Sequence, residues 1–193
     1  MFLFENSCCF TGYRPEKFNF PLSETSYDYR RFITRLLTSI ADMIEKGCTR
    51  FYTGMAMGFD ILAAEQVITF KKAKPEIQLI AVVPFEGHKR TISSEWQNRY
   101  QEILRECDEV VTISPDYANW VYSKRNRYMV DRSRYVLTYF DGKTGGTQNT
   151  LKYAVKNGRQ VLNIYETDVM AEKNSHLKHY CDIFPPEKNK DTR

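Results

Sequence analysis

The run Tyr135-Val136-Leu137-Thr138-Tyr139-Phe140, followed directly by Asp141-Gly142-Lys143-Thr144-Gly145-Gly146-Thr147, decides the fold. The first part is apolar enough to read as a buried strand. The segment Gln148 to Asn157 reads as a helix, with Leu151 and Ala154 on one face. A glycine-rich turn between a strand and a helix leaves main-chain N–H groups free at the positive end of the helix dipole. Such a place suits phosphate or another anion. The same glycines also serve a tight turn that binds nothing, and both readings stay open on this turn alone.

Outward from this unit the pattern repeats. Ser7 to Phe10 is a short apolar run. Tyr27 to Lys46 places Phe32, Leu36, Ile40, Met43 and Ile44 on one helical face, and Gly47 stands where a helix ends. Arg50 to Thr53 predicts a second strand and Phe59 to Lys72 a second helix, with Leu62, Ala63, Val67 and Phe70 inside. Ile77 to Val83 is almost wholly apolar, as a central parallel strand requires. A helix from Ile92 to Cys107 carries Trp96, Tyr100, Ile103 and Leu104 on one side. Glu109 to Ile113 and Gln160 to Tyr165 complete the strands, and Ser123 is read as the N-cap of a helix running to Arg134. Strands separated by helices of this length pair in parallel through right-handed crossovers. The expected fold is therefore α/β: a Rossmann-like open doubly wound sheet, mostly parallel, of about six strands with helices on both faces.

Bulk properties narrow the class. A chain of 193 residues fits one domain with a full core, here residues 1–166, with 167–193 read as a polar, partly disordered tail. The net charge of +4 permits an anionic ligand without demanding nucleic acid. No apolar run approaches the roughly 20 residues of a membrane span, so no membrane partner is expected. The start lacks the features of a signal peptide. Five scattered cysteines, with Cys8 and Cys9 adjacent, fit reduced buried thiols and a cytoplasmic protein.

In doubly wound sheets ligands sit at the carboxyl ends of the strands, so the loops after strands hold the candidates. After the first strand, Thr11 and Gly12 let backbone approach a ligand and Arg14 meets phosphate or carboxylate; the alternative is a solvated surface turn. After the second, the bend Gly54-Met55-Ala56-Met57-Gly58 offers amides to an anion. Its glycines do not follow the dinucleotide G-x-G-x-x-G spacing. Asp60 behind it is a candidate for a ribose hydroxyl, whereas Glu65 complements the helix dipole. Pro84 ends the third strand. Arg125 and Asn126 are read into the first turn of their helix, where a cation opposes the dipole and wants an external anion. Met129 follows Arg125 at helical spacing, and Arg127, Asp131 and Arg134 form an i, i+4 set that reads as an exposed salt-bridged face. Gly145, Gly146 and Thr147 complete the ligand set. Gly142-Lys143-Thr144 resembles the end of a Walker A loop, but Leu137 stands where that motif needs its first glycine. His176, His179 and Cys181 have metal-like spacing without a matching second pair, so no metal is expected. No cofactor is required, and with His88 the only other histidine a hydrolase triad finds no support.

Taken together, T-G-Y-R, G-M-A-M-G-F-D, V-P-F, R-N-R-Y-M-V-D-R-S and D-G-x-x-G-G-T, in this order from Cys8 to Tyr165, resemble the SLOG superfamily and its YpsA-like family. The resemblance implies a Rossmann-like domain binding nucleotides or nucleotide-derived small molecules, such as ADP-ribose, as a sensor or regulatory module. Homodimers through helices occur among related folds and are an open expectation here. LOG phosphoribohydrolases, which cleave the N-glycosidic bond of nucleoside monophosphates, are a more distant resemblance through Gly145-Gly146-Thr147. In them the arginine matching Arg125 and a glutamate are catalytic. Thr150 holds the glutamate's place in this chain, and a hydroxyl neither stabilises an oxocarbenium ion nor activates water well. An enzyme of that kind would draw its acid from Asp131 or Glu65, with Arg125 beside it. The DprA family, which binds single-stranded DNA, is the third resemblance, through Arg125-Asn126-Arg127; nucleic acid is the lesser partner expectation.

Overall fold

The computed structural model describes residues 4–165. The expectations for the tail and for His176, His179 and Cys181 lie outside these residues. Six strands form one parallel sheet in the order β4-β3-β2-β1-β5-β6: β1 (Ser7–Gly12), β2 (Arg50–Thr53), β3 (Gln78–Val83), β4 (Glu109–Thr112), β5 (Tyr135–Tyr139) and β6 (Gln160–Asn163). Five helices connect them: α1 (Tyr27–Glu45), α2 (Phe59–Lys71), α3 (Ser94–Glu106), α4 (Val121–Asp131) and α5 (Gly146–Lys156). The expected doubly wound sheet is present, and every strand pair in it is parallel. Among the described residues no helix is long and apolar enough to cross a membrane.

The strand order explains the layers. From β1 to β4 the chain steps one way across the sheet, and from β5 it steps the other way. Right-handed crossovers then put α1, α2 and α3 on one face and α4 and α5 on the other. The packing agrees: α2 touches α1 and α3, and α4 touches α5. The direction reverses between β1 and β5, so their carboxyl ends border the crevice where such sheets take ligands.

Alternation along β1 fixes which residues meet each layer. Phe10 points to the α1–α2 side, where its ring stacks on Phe51 at 6.0 Å and meets Phe59 edge-on at 6.5 Å. Tyr139 of β5 shares that side and packs against Phe32 of α1 at 5.1 Å. The core stripe of α1 is Phe32, Leu36, Ile40 and Met43, as its spacing predicts, with Ser39 beside it and Ile44 only partly buried. Ser26 caps this helix by accepting from the Tyr29 N–H.

Two helix boundaries correct the sequence reading. α4 begins at Val121, and Ser123 is inside it, donating its hydroxyl to the Trp120 carbonyl at 2.9 Å. Trp120 holds the N-cap without a side-chain hydrogen bond, so the capping preference of Ser123 placed the start too late. α5 begins at Gly146, two residues before the expected Gln148.

Candidate functional site

Four of the predicted loops meet at the carboxyl edge of the sheet, and Arg125 stands at their centre. Because α4 starts at Val121, Arg125 lies in its second turn. The expectation of a cation facing the dipole in the first turn is therefore not met. Its guanidinium is 5% exposed and reaches across to the bend after β2. There Nη1 donates to the Gly54 carbonyl and lies 3.6 Å from Asp60 Oδ2. Burial pushes the Asp60 carboxyl up to about 6, against the pull of Arg125 and Arg14 and of hydrogen bonds from the Ala56 and Gly54 main chain. Burial likewise lowers the Arg125 pKa, opposed by Asp60.

The bend Gly54–Gly58 is closed by the protein's own groups. Thr53 Oγ1 accepts from the Met55 N–H at 3.2 Å, and the Tyr13 carbonyl accepts from the Phe59 N–H at 2.9 Å. The Asp60 carboxylate sits beside the start of the bend, 2.7 Å from a Cβ built on Gly54. The Met55 amide is therefore not free for an anion, and the carboxylate two residues past Gly58 folds back beside Gly54. Gly54 is needed for close approach. A Cβ there would lie 2.7 Å from both Arg125 Cζ and Asp60 Oδ2. Met55 is fully buried with φ at 57°, a left-handed conformation uncommon for a side-chain-bearing residue.

The bend before α5 is the opposite case. Gly145, at φ 153°, holds the N-cap position without a side-chain cap. The first main-chain acceptor bond of the helix joins the Asn149 N–H to the Gly145 carbonyl at 3.1 Å. Among the described residues the Gly146, Thr147 and Gln148 N–H groups meet no acceptor, as expected of an uncapped first turn. Among the described residues no atom outside the turn's own backbone lies within 4 Å of a Cβ built on Gly146, so they leave open the space that Cβ would enter. Lys17 Nζ lies 3.4 Å from a Cβ built on Gly145 and 5.5 Å from the centre of the Tyr13 ring. Among the described residues it makes no ion pair. The sequence reading passed over Lys17. Only the pairing of β1 with β5 brings the turn after Arg14 alongside Gly145.

The remaining predicted residues fall into place around these two bends. Thr147 donates its hydroxyl to the Gly12 carbonyl at 3.2 Å, tying α5 to the end of β1. Asn126 donates to Thr150 Oγ1 at 2.8 Å, and Thr150 donates to the Gly146 carbonyl at 2.9 Å. Asn126 thus anchors the first turn of α5 from α4. Gly12 faces Phe59, whose ring would lie 2.5 Å from an added Cβ. Thr11, Pro84 and Met129 are buried. Arg14 is half-buried, and its guanidinium makes no hydrogen bond or ion pair among the described residues. Asp141, at the open bend, accepts from the Tyr13 hydroxyl and pairs with Lys143 at 2.8 Å.

The two candidate acids are elsewhere. Asp131 ends α4 and accepts from the Tyr153 hydroxyl at 2.8 Å. Glu65 binds Arg99 through both oxygens, at 2.6 and 2.5 Å. The expected salt-bridged face of Arg127, Asp131 and Arg134 is instead built on rings: Arg127 lies over Tyr153 and Arg134 over Tyr135. No group of three or more potential metal ligands occurs among the described residues.

Comparison with known proteins is consistent with this architecture. The chain is 30% identical over 146 residues to the SPbeta prophage-derived protein YoqJ of Bacillus subtilis (strain 168), covering 68% of this chain and 85% of that one. It is 24% identical over 137 residues to a UPF0398 protein of Brevibacillus brevis, covering 66% and 72%. Among solved structures it resembles the DNA processing protein A (DprA) of Streptococcus pneumoniae, with a TM-score of 0.57 and 16% identity over 84% of this chain. It spans about half of that protein, 51% of its length. The Helicobacter pylori DprA gives a TM-score of 0.56 at 17% identity, covering 86% of this chain and 67% of that one. A parallel sheet that reverses at β1, with its glycine bends in the expected order, accompanies a match to the YspA SLOG family over residues 8–174, and the chain belongs to that family.

Proposed function

We propose that this chain binds the phosphate of a nucleotide or nucleotide derivative at the start of α5, acting in the cytoplasm as a sensor or regulatory module. The contrast between the two bends carries the reading. One bend has its Met55 N–H on Thr53, the N–H of Phe59 behind it on Tyr13 and a carboxylate beside Gly54, whereas the other keeps three N–H groups without an acceptor among the described residues and no carboxylate in its first helical turn. An ammonium beside a helix N-terminus is electrostatically unfavourable until an anion joins them. Lys17 beside Gly145 is such an ammonium, and Arg14 supplies a second cation at the same edge. Arg125 acts from behind: it holds the closed bend in shape and adds positive potential, with Asn126 and Thr147 fixing the cradle. Buried thiols whose pKa is pushed up, to about 12 for Cys9, behave as unreactive packing groups and fit a reducing compartment.

Isothermal titration with AMP, ADP, ADP-ribose and pyrophosphate tests the reading. Gly146→Ala is the informative variant. Its methyl group meets nothing among the described residues, so the fold is kept, yet it enters the space a phosphate would use. Micromolar binding that falls at least about tenfold in Gly146→Ala and in Lys17→Ala supports the site. A folded protein that binds no member of the panel rejects it.

The glycosidase alternative has less support, because Asp131 and Glu65 are engaged away from the open bend and Thr150 is committed to Asn126 and Gly146. Nucleic-acid binding draws on the H. pylori relative, whose structure is described as revealing a single-stranded DNA binding mode. Against it, cations of the chain itself lie over Trp120, Tyr128 and Tyr153. A steep fall of retention with salt would favour that alternative.

A further inference from the structure

Beyond the phosphate cradle, the same edge of the sheet carries an aromatic cluster. Tyr117, in the loop between β4 and α4, is 64% exposed. Its ring meets Phe85 at 5.5 Å and Tyr122 at 6.3 Å, with interplanar angles of 78° and 64°. Phe85 meets His88 edge-on at 5.5 Å, and His88 Nδ1 lies 3.2 Å from the Tyr100 hydroxyl. Tyr117 is therefore the solvent-facing end of a chain of rings that runs inward to the buried Tyr100. Neither of its ring contacts is a parallel stack, and no cation lies over it among the described residues. A large ring held in place by its neighbours but open to water offers stacking area with little ordering still to lose.

Position links this ring to the cradle. Phe85 follows β3, Tyr117 follows β4, and α5 follows β5, so all lie at the carboxyl edge. Arg125 acts electrostatically on Tyr122, Tyr100 and His88, and Arg14 acts on His88, so the cluster borders the same cations. Tyr117 follows β4, four strand spacings from β5 in the sheet order, roughly 19 Å at about 4.8 Å each, and its ring reaches back toward β3, where it meets Phe85 at 5.5 Å. The tyrosine side chain shortens that gap. A nucleoside monophosphate, with one sugar between base and phosphate, is a short fit; a diphosphate extends the reach.

We infer that Tyr117 is the nucleobase platform of this site, and that its ligand is a nucleoside diphosphate or a sugar ester of one, with the base on Tyr117 and the diphosphate at the α5 cradle. The inference rests on the phosphate-binding reading above. Three probes separate the two. Pyrophosphate has no base and tests the cradle alone; ADP has both ends; AMP is shorter. In Tyr117→Ala, ADP affinity falls at least fivefold, and by up to about a hundredfold, while pyrophosphate affinity is unchanged. Tyr117→Phe keeps the wild-type values, and wild type prefers ADP to AMP. Unchanged ADP affinity in Tyr117→Ala overturns the platform and leaves the cradle standing. So does a Tyr117→Ala effect confined to oligomeric state in sedimentation velocity, which assigns the ring to a contact between copies. Wild-type protein that binds neither ADP nor pyrophosphate overturns the cradle and the platform together.

Discussion

Replacing Arg125 with Met tests whether the centre of the site is a buried ion pair. Methionine matches much of the arginine's length, so the cavity contribution is small. What is lost is the counter-charge of Asp60 and the donor to the Gly54 carbonyl. Both side chains of the pair are only 6% exposed, so little solvent screening softens the change. Removing one member of such a pair costs about 3–5 kcal/mol where the charge left behind stays ionised, and less where it takes up a proton, as Asp60 does here. The pH dependence identifies the cause. Asp60 titrates near pH 6 in the folded protein against an ordinary 3.8, so between those values the folded state binds the extra proton. Its contribution to stability is largest below about pH 4 and is lost as the pH rises through 6. Without Arg125 the folded pKa climbs further, and the loss continues above pH 6. Across the one pH unit above 6 a single proton supplies about 1.4 kcal/mol, so urea unfolding at pH 7 is expected to show an Arg125→Met deficit larger than that at pH 4 by about that amount. At pH 4, where the carboxyl is protonated in both proteins, only the missing hydrogen bond remains, about 1 kcal/mol. The double variant Asp60→Asn/Arg125→Met should be more stable than the sum of the single losses by at least about 2 kcal/mol. An equal deficit at both pH values, or strict additivity, refutes the ion-pair account.

Three other outcomes follow from the same geometry. Gly54→Ala drives a methyl group into the Arg125 guanidinium and should lower stability by about 1–3 kcal/mol, read as a reduced denaturation midpoint at unchanged slope. Thr150→Val removes the hydroxyl that joins Asn126 to the first turn of α5; the expected cost is about 1–2 kcal/mol, with faster amide exchange at the start of α5 than elsewhere. His88 is pulled down to about 4 by burial, helped by Arg125 and Arg14, so it favours folding at higher pH through the window from 6.5 to 4. Asp60 favours the lower pH over much of the same window. The two slopes oppose each other in the wild type. Thermal melts at pH 4, 5 and 6 should tilt upward with pH in Asp60→Asn and downward in His88→Asn, and parallel behaviour of the two variants would contradict the assignment.

The sheet was legible because its signals are local and repeated. β3 is a continuous apolar run, α1 places four core residues at helical spacing, and β5 runs directly into a glycine turn. Each element declares itself within a few residues, and their alternation fixes parallel pairing. The start of α4 was less legible. Trp120 holds the N-cap without a side-chain hydrogen bond, while Ser123, the residue type that favours caps, sits inside the helix. There the tertiary packing of Tyr122 against Phe85 and His88 outweighs local capping preference.

The site was legible as a set of loops, but the state of each loop was not. Two glycine bends of similar composition follow β2 and β5, and the chain gives each of them main-chain donors. What separates them is a carboxylate. Asp60, in the first turn of α2, folds back over its bend and is neutralised by Arg125, a residue 65 positions away. The corresponding turn of α5 reads Gly146-Thr147-Gln148-Asn149, with no acid to fold back. The absence of Asp or Glu from that first turn is visible in the chain, and it leaves the helix dipole there without an acidic side chain to complement it. The position of Lys17 is not visible in this way, because it depends on β1 and β5 being neighbours at the point where strand order reverses. Sequence thus names both bends and the acid that separates them, and topology decides which groups gather around each.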